Sequence, residues 1–302
     1  MSQLTLNGIA IEDTFAEAFG MAATAIVITA DSPRWVEIAA ASLTGFATSV
    51  IGCGVEAGID RVLSTDETPD GRPGARILMF GFDADGLGKQ LARRVGQCVL
   101  TSPGSACYAG SPGTTRLKLG ANIRYFGDGY EVAKRIGGHR YWRVPVMDGE
   151  FVCEHDTGLV EEAVGGGNLL FLGRDQANTL AVAEAAAEAA GSVGDVILPF
   201  PGGIVRSGSK VGGRTKGMIA STNDPYCPTL KGRARSALPL EVGAVLEIVI
   251  DGLSADSIRS SMRAALHAAT AIGSKKGLVR VTAGNYGGKL GKYHFQLREL
   301  VA

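Results

Sequence analysis

The sequence predicts an α+β fold built from two copies of a βαββαβ unit, that is, duplicated ferredoxin-like lobes. Three observations carry the prediction. Apolar runs of strand length alternate with helical stretches in the same order twice along the 302 residues. Short segments echo each other across the halves: LNGIAIEDTF (6–15) resembles MDGEFVCEHDTG (147–158), and LMFGFDADGL (78–87) resembles VIDGLSADSI (249–258). With 45% hydrophobic and 20% charged residues, the chain has enough apolar surface to bury a core in each copy.

In the first copy, TAIVITA (24–30) is a buried strand. Ser32 caps the next helix, Pro33 occupies its first position, and Gly45 stops it. A short strand over 48–51 follows, and STDETPDGRPG (64–74) is a loop of turn formers. RILMF (76–80) is a strand, 85–98 a helix, and 121–126 a closing strand. The second copy begins with NLLFL (168–172) and the Ala-rich helix 176–190. DVILPF (195–200) is its second strand, followed by a Gly-rich polar stretch to 235. VLEIVI (245–250) is the third strand. Ser254 caps a helix with Ile258, Met262, Ala265, Leu266 and Ala269 on one face. LVRVTA (278–283) is the fourth strand, and the alternation over 292–298 reads as a half-solvated one. The division between lobes falls at 147/148, giving 1–147 and 148–302.

Composition excludes several classes of function. Lys and Arg number 30, as do Asp and Glu, so the net charge is zero and no nucleic-acid footprint is expected. No apolar run approaches the ~20 residues of a membrane span. The N-terminus carries acidic residues where a signal peptide would carry basic ones, so a cytoplasmic, non-membrane protein is expected. The five cysteines, Cys53, Cys98, Cys107, Cys153 and Cys227, are scattered without a CxxC pair, and the four histidines show no ligand spacing. Free thiols and no protein-bound metal follow.

Among the motifs, PFPGGIVRSGSKVGG (199–213) has the glycine separation of a phosphate loop. Its Ser209-Lys210 order is reversed from what a Mg-nucleotide needs, so a nucleotide-hydrolysing loop is rejected. Its backbone N–H groups with Ser207, Ser209 and Lys210 suit an anionic cofactor tail instead. No GxGxxG opens a helix after a strand, which argues against a dinucleotide fold.

Glu247 stands inside VLEIVI, between Leu246 and Ile248. A carboxylate among apolar neighbours is desolvated, which raises its pKa toward the range where it gives and takes a proton near neutrality. The alternative is an exposed face or a salt bridge. Two loops, STNDPYCPTL (221–230) with Asn223 and Tyr226 and TAGNYGGKLGKY (282–293) with Asn285, Tyr286 and Lys289, mix hydrogen-bonding side chains with turn formers. Such groups either donate to a developing oxyanion or serve the turn alone.

Taken together, NGIAIEDTFAEAF (7–19), TGFATSVI (44–51), ETPDGRPG (67–74), FGDGY (126–130), PFPGGIV (199–205), STNDPYCPT (221–229), EIVIDGL (247–253) and AGNYGGKLGKY (283–293) resemble the formylmethanofuran–tetrahydromethanopterin N-formyltransferases. The resemblance covers almost the whole chain. It implies two ferredoxin-like lobes, a homotetramer, and formyl transfer between tetrahydromethanopterin and methanofuran as co-substrates, with no bound cofactor. It places the family's proton-handling glutamate on Glu247. Asn285 or a nearby backbone N–H becomes the oxyanion-donor candidate, and Gln97, Ser209, Lys210, Asn223 and Tyr226 become cleft contacts. The neutral charge, with Arg116 and Lys118 between 108 and 121, resembles the bacterial methylotroph branch. That branch implies formaldehyde oxidation, a methanofuran analogue, and a complex with hydrolase subunits. The competing class is a non-catalytic coenzyme-binding scaffold subunit of such a complex. A folate-type formyltransferase is a second rival, disfavoured because no histidine sits in a suggestive setting.

Overall fold

Side-chain caps decide where several helices begin. Asp83, Asp175 and Ser254 each accept a hydrogen bond from the backbone N–H three residues on. The computed structural model describes residues 4–301. In chain order, the first part comprises β1 (Ile9–Ile11), β2 (Phe15–Thr29), α1 (Pro33–Thr44), β3 (Val55–Leu63), β4 (Gly74–Gly81), α2 (Ala84–Arg94), β5 (Ala106–Ala109), β6 (Val132–Ile136), β7 (His139–Val146) and β8 (Gly149–Glu154). The second comprises β9 (Asp156–Gly173), α3 (Gln176–Gly191), β10 (Val196–Ile197), β11 (Ile204–Val205), β12 (Ala244–Gly252), α4 (Ala255–Gly273), β13 (Leu278–Thr282) and β14 (Tyr293–Gln296). The protein is thus mixed α/β.

Contacts gather the chain into two units. One is Gly20–Ala163; the other joins the segment ending at Phe19 to the chain from Val164 onward. These units differ from a division in chain order at 147/148, because the N-terminal segment is grouped with the later half of the chain.

Within Gly20–Ala163, the strands lie in the order β3–β4–β2–β5, all antiparallel. The sheet continues through β8, parallel to β5, and then β7 and β6. Val36, Ala40 and Leu43 of α1 and Leu87 and Leu91 of α2 pack on Ile26, Ile28, Ile77 and Met79. Helical periodicity puts these residues on one stripe, and strand alternation puts theirs on one face.

In the other unit, β10 and β11 flank β12, and the order runs β12–β9–β13, again antiparallel. The strand that opens each series therefore lies between the third and fourth strands in both units. β13 also pairs in parallel with β1, and β14 pairs with the Phe15–Ala18 end of β2. Leu169, Phe171, Ile248 and Ile250 pack on Val182, Ala186 and Ala190 of α3 and on Ile258, Met262 and Leu266 of α4. Alanine at three α3 positions admits close helix contact, and Ser261 donates to the Ala190 carbonyl at 3.0 Å.

Several sequence expectations need correction. The stretch 121–126 is not a strand: Gly120–Ile123 is α-helical and Arg124–Gly127 a 3-10 turn. The strand closing that series is the short β5, whose small residues ACYA carry little apolar signal. The second strand is β3 rather than 48–51, where only Thr48–Ser49 is extended. A register shift between Ile59 and Arg61 breaks the alternation that would have revealed β3. The helix expected over 85–98 turns into a π segment at Val95–Val99. The 195–200 strand shrinks to β10, and the strand near the C-terminus ends at Gln296, giving way to a helical turn, Leu297–Leu300. All five cysteines are free. Among the described residues, no helix is long and apolar enough to cross a membrane, and no three His, Cys, Asp or Glu side chains form a metal-ligating group.

Candidate active site

Alternation along β12 decides the direction of Glu247. Leu246 and Ile248 face the helices, so Glu247 faces the other side of the sheet. Its register partners are Leu170 on β9 and Val205 on β11, and Leu170 in turn lies opposite Thr282 on β13. Glu247 thus shares a transverse row with two aliphatic residues. Leu170, Leu172 and Val242 form a small apolar cluster on this face, with Val245 and Tyr226 packed against it. Among the described residues, no cation or hydrogen-bond donor meets the Glu247 oxygens. Burial alone pushes its pKa up from 4.5 to about 7.

The loop 284–291 supplies a phenol that feels the Glu247 charge. Burial raises the Tyr286 phenol pKa, and the neighbouring charges of Glu247 and Glu17 raise it further. The phenol therefore stays a protonated donor within the field of the Glu247 carboxyl. Its ring rests near Phe19, with centroids 6.0 Å apart, and it is 39% exposed.

Glu17 holds this loop in place. It is only 1% exposed. One oxygen accepts from the N–H groups of Tyr286 at 2.6 Å and Gly288 at 2.8 Å; the other accepts from Leu290 at 2.7 Å and Gly291 at 2.6 Å. Burial opposes ionisation, but the four donors outweigh it and hold the pKa down at about 2. The contact is close because position 291 lacks a side chain: a Cβ there would lie 2.5 Å from the Ala18 carbonyl oxygen. Gly291→Ala is expected to displace the loop and loosen its bonds to Glu17, read as a lowered melting temperature. Asn168 completes the frame, donating to the carbonyls of Gly166 and Gly284 and accepting from the Gly284 N–H at 2.6 Å.

The predicted site residues separate into four groups. Glu247 and Tyr226 share a sheet face. The Tyr226 phenol pKa is raised by burial and by Glu12, and the phenol hydrogen-bonds to Thr282. Asn285 lies next to Tyr286, but its amide donates to Thr14 Oγ1 and the Phe15 carbonyl, and its oxygen accepts from Gly287 N–H. Its amide nitrogen and oxygen are thus both engaged in holding the loop. Lys210 and Asn223 belong to the 199–235 stretch. Lys210 ion-pairs with Asp224, and the Asn223 carbonyl accepts from the Tyr226 N–H. Ser209 is exposed beside them. Lys210, Arg214, Arg233 and Asp224 line a cavity of about 310 Å³. Gln97 belongs to the Gly20–Ala163 unit, where the π segment borders a cleft of about 1060 Å³ with Leu100, Ile123, Phe126 and Met147.

Sequence reasoning missed Glu17 and Asn168. Glu17 had a signal of the same kind as Glu247, a carboxylate in a strand of apolar and small residues, FAEAF. Its partners lie far away in the chain, and no local pattern announces them.

The profile described as formylmethanofuran-tetrahydromethanopterin formyltransferase matches residues 4–146, and that of the family's proximal lobe matches 149–300. One of the subunits of the formyltransferase/hydrolase complex of Methylorubrum extorquens is 68% identical, covering 100% of this chain and 98% of that protein. The formylmethanofuran–tetrahydromethanopterin formyltransferase of Methylobacillus flagellatus is 56% identical, covering 99% of this chain and 100% of that protein. The crystal structure of the Methylorubrum extorquens formyltransferase/hydrolase complex with methylofuran contains a chain that superposes with a TM-score of 0.98 at 67% identity, covering 100% of this chain and 99% of that one. With both profiles matched in order and the similarity running end to end, the chain belongs to the formylmethanofuran–tetrahydromethanopterin formyltransferase family.

Proposed function

We propose that the protein transfers a formyl group between the ring nitrogen of tetrahydromethanopterin and the amine of methanofuran or a methanofuran analogue. The exchange is direct, amine to amine, with both coenzymes as co-substrates. Family membership sets the reaction. The observation that carries the mechanism is the unpaired, half-buried Glu247, with a pKa of about 7.

One nitrogen attacks the formyl carbon and gives a tetrahedral species with a negative oxygen and a positive nitrogen. Glu247 takes the proton from the attacking nitrogen and returns it to the leaving one, a role suited to a group that is part-ionised at neutral pH. The Tyr286 phenol, kept protonated, is the oxyanion donor. Most loop N–H groups cannot take that part, because those of Tyr286, Gly288, Leu290 and Gly291 are committed to Glu17 and that of Gly287 to Asn285. Tyr226, Lys210, Ser209 and Asn223 are coenzyme contacts in this reading, as is Gln97 within the Gly20–Ala163 unit, and the basic residues around the 310 Å³ cavity suit an anionic coenzyme tail. Holding two coenzymes end to end supplies much of the rate by proximity.

The remaining proposals concern setting. Two ferredoxin-like lobes are supported by the strand order repeated in the two units, and their bounds, 1–147 and 148–302, by the two family profiles, which match 4–146 and 149–300. A cytoplasmic homotetramer follows from the family resemblance. The 68% identity to a component of a formyltransferase/hydrolase complex supports association with hydrolase subunits. A role in formaldehyde oxidation, with formyl passing from the pterin to the furan amine, follows from the resemblance to the bacterial methylotroph branch alone.

Purified protein incubated with formyl-tetrahydromethanopterin and methanofuran is expected to show formyl on the furan amine by mass spectrometry. Absence of transfer with pterin binding intact would favour the scaffold reading. The turnover should rise with pH through about 7 and level off above it, because Glu247 must be ionised to accept the proton. Tyr286→Phe is expected to lower kcat about tenfold, less than the loss of a fully enclosed oxyanion donor because this loop is solvated, with KM nearly unchanged. An unchanged kcat would remove Tyr286 from the mechanism.

A further inference from the structure

The Gly20–Ala163 unit carries a second polar site that the transfer chemistry does not use. A pocket of about 380 Å³ opens where β7 turns back on β6 and where β8 runs into β9. Arg116, Arg135, His139, Arg140, Glu154, His155 and Asp156 line it. Its two carboxylates are already matched. Asp156 accepts from Arg116 at 2.7 Å, and Glu154 accepts from the Ala109 N–H at 2.9 Å and pairs with His139 Nδ1 at 2.7 Å.

Two guanidiniums remain. Arg135 and Arg140 are direct cross-strand partners in the β6–β7 hairpin, and among the described residues neither has a carboxylate partner. Like charges placed opposite each other destabilise a strand pair, so this juxtaposition costs stability unless something anionic offsets it. His155 adds a third donor. Its Nδ1 accepts from Trp142 Nε1 at 2.8 Å, which leaves the proton of the neutral ring on Nε2. Burial lowers the pKa of the ring; Asp156 opposes the shift, and the positive charges of Arg140, Arg124 and Lys118 add to it. Arg124 itself is occupied, stacked over Tyr125 and Trp142 and paired with Glu131.

We propose that this pocket binds a small dianion of the phosphate-monoester class, held by the Arg135 and Arg140 guanidiniums and the Nε2–H of His155. Guanidinium forks match phosphoryl oxygens, and donors arriving from three residues suit a tetrahedral anion better than a flat carboxylate. Arg143, on the same hairpin, does not extend the site, since it is paired with Glu150. Occupation relieves the Arg135–Arg140 repulsion and thereby stiffens the hairpin.

The test titrates the full-length protein with inorganic phosphate, glycerol 3-phosphate and glutarate, by calorimetry and by the NMR signals of the His155 ring. Saturable binding of glycerol 3-phosphate, tighter than that of glutarate and accompanied by a rise in the His155 pKa, is expected. Phosphate binding as tightly as the ester identifies the free ion as the ligand within the same chemistry. Arg135→Ala and Arg140→Ala should each weaken binding about tenfold, the size of one charge-assisted contact. Arg143→Ala should leave it unchanged. Melting of each variant without ligand confirms that the exposed substitutions preserve the fold. Absence of saturable binding, equal weakening by Arg143→Ala, or glutarate binding as tightly as the esters would overturn the proposal.

Discussion

Glu247→Gln is expected to lower formyl-transfer turnover by about 10²- to 10⁴-fold, the usual worth of a positioned acid–base group, while leaving coenzyme affinity within a few-fold. The same substitution should make the protein more stable at alkaline pH. The wild-type carboxyl has a folded pKa of about 7 against 4.5, so its neutral form is favoured by folding. That contribution is complete below pH 4.5 and is lost as pH rises through 7, where ionising the half-buried group costs about 2 kcal/mol after allowance for its solvent contact. Glutamine has no charge to bury. Denaturant melts at about pH 5 and about pH 8.5 should therefore diverge in the wild type and stay together in the variant. A variant with wild-type turnover would remove Glu247 from proton transfer, whatever its melting.

Glu17→Ala is expected to destabilise the unit that contains it by about 3–5 kcal/mol, because four buried or half-buried N–H groups lose a charged acceptor at once. Activity should fall with it, since Tyr286 rides on the released loop. Glu17→Gln keeps the volume but turns an N–H₂ group toward two N–H donors, so it should rescue little. The pH dependence has the opposite sign to that of Glu247. With the folded pKa at about 2 against 4.5, the stabilisation is present above pH 4.5 and is lost as pH falls toward 2. Melting measured from about pH 6 down to about pH 3 should steepen in the wild type relative to Glu17→Gln. Equal slopes would show that another carboxylate governs the acid limb.

Elements with strong local signals were legible in the sequence, and those defined by distant partners were not. Pro33 after Ser32, the Ser254 cap and the apolar stripe of α4 announced their helices, and VLEIVI announced β12 together with its anomalous glutamate. The strand β3 was hidden by its bulge and by Asp60, a carboxylate that Arg76 neutralises at 2.7 Å from the neighbouring strand. The turn over 121–126 was misread because Ile123 and Phe126 also fit a short apolar run, whereas their spacing of three is helical. At the site, desolvation of Glu247 is a property of its immediate neighbours and could be inferred. The roles of Asn285 and Glu17 depend on hydrogen bonds spanning 271 and 274 positions, which no local pattern contains.

Those long-range bonds order events during synthesis. The strand β1 and Glu17 wait for β13 and the loop 284–291, which are made long after them; Glu17 and Gly291 stand 274 positions apart. The Gly20–Ala163 unit can collapse on its own contacts while translation continues, but the other must hold β1 and the Glu17 carboxylate unsatisfied until 278–291 emerges. A nascent chain stalled before residue 278 should consequently resist proteolysis between 20 and 163 and be cut readily around 9–19, with protection of 9–19 and 278–291 appearing together once the stall is relieved.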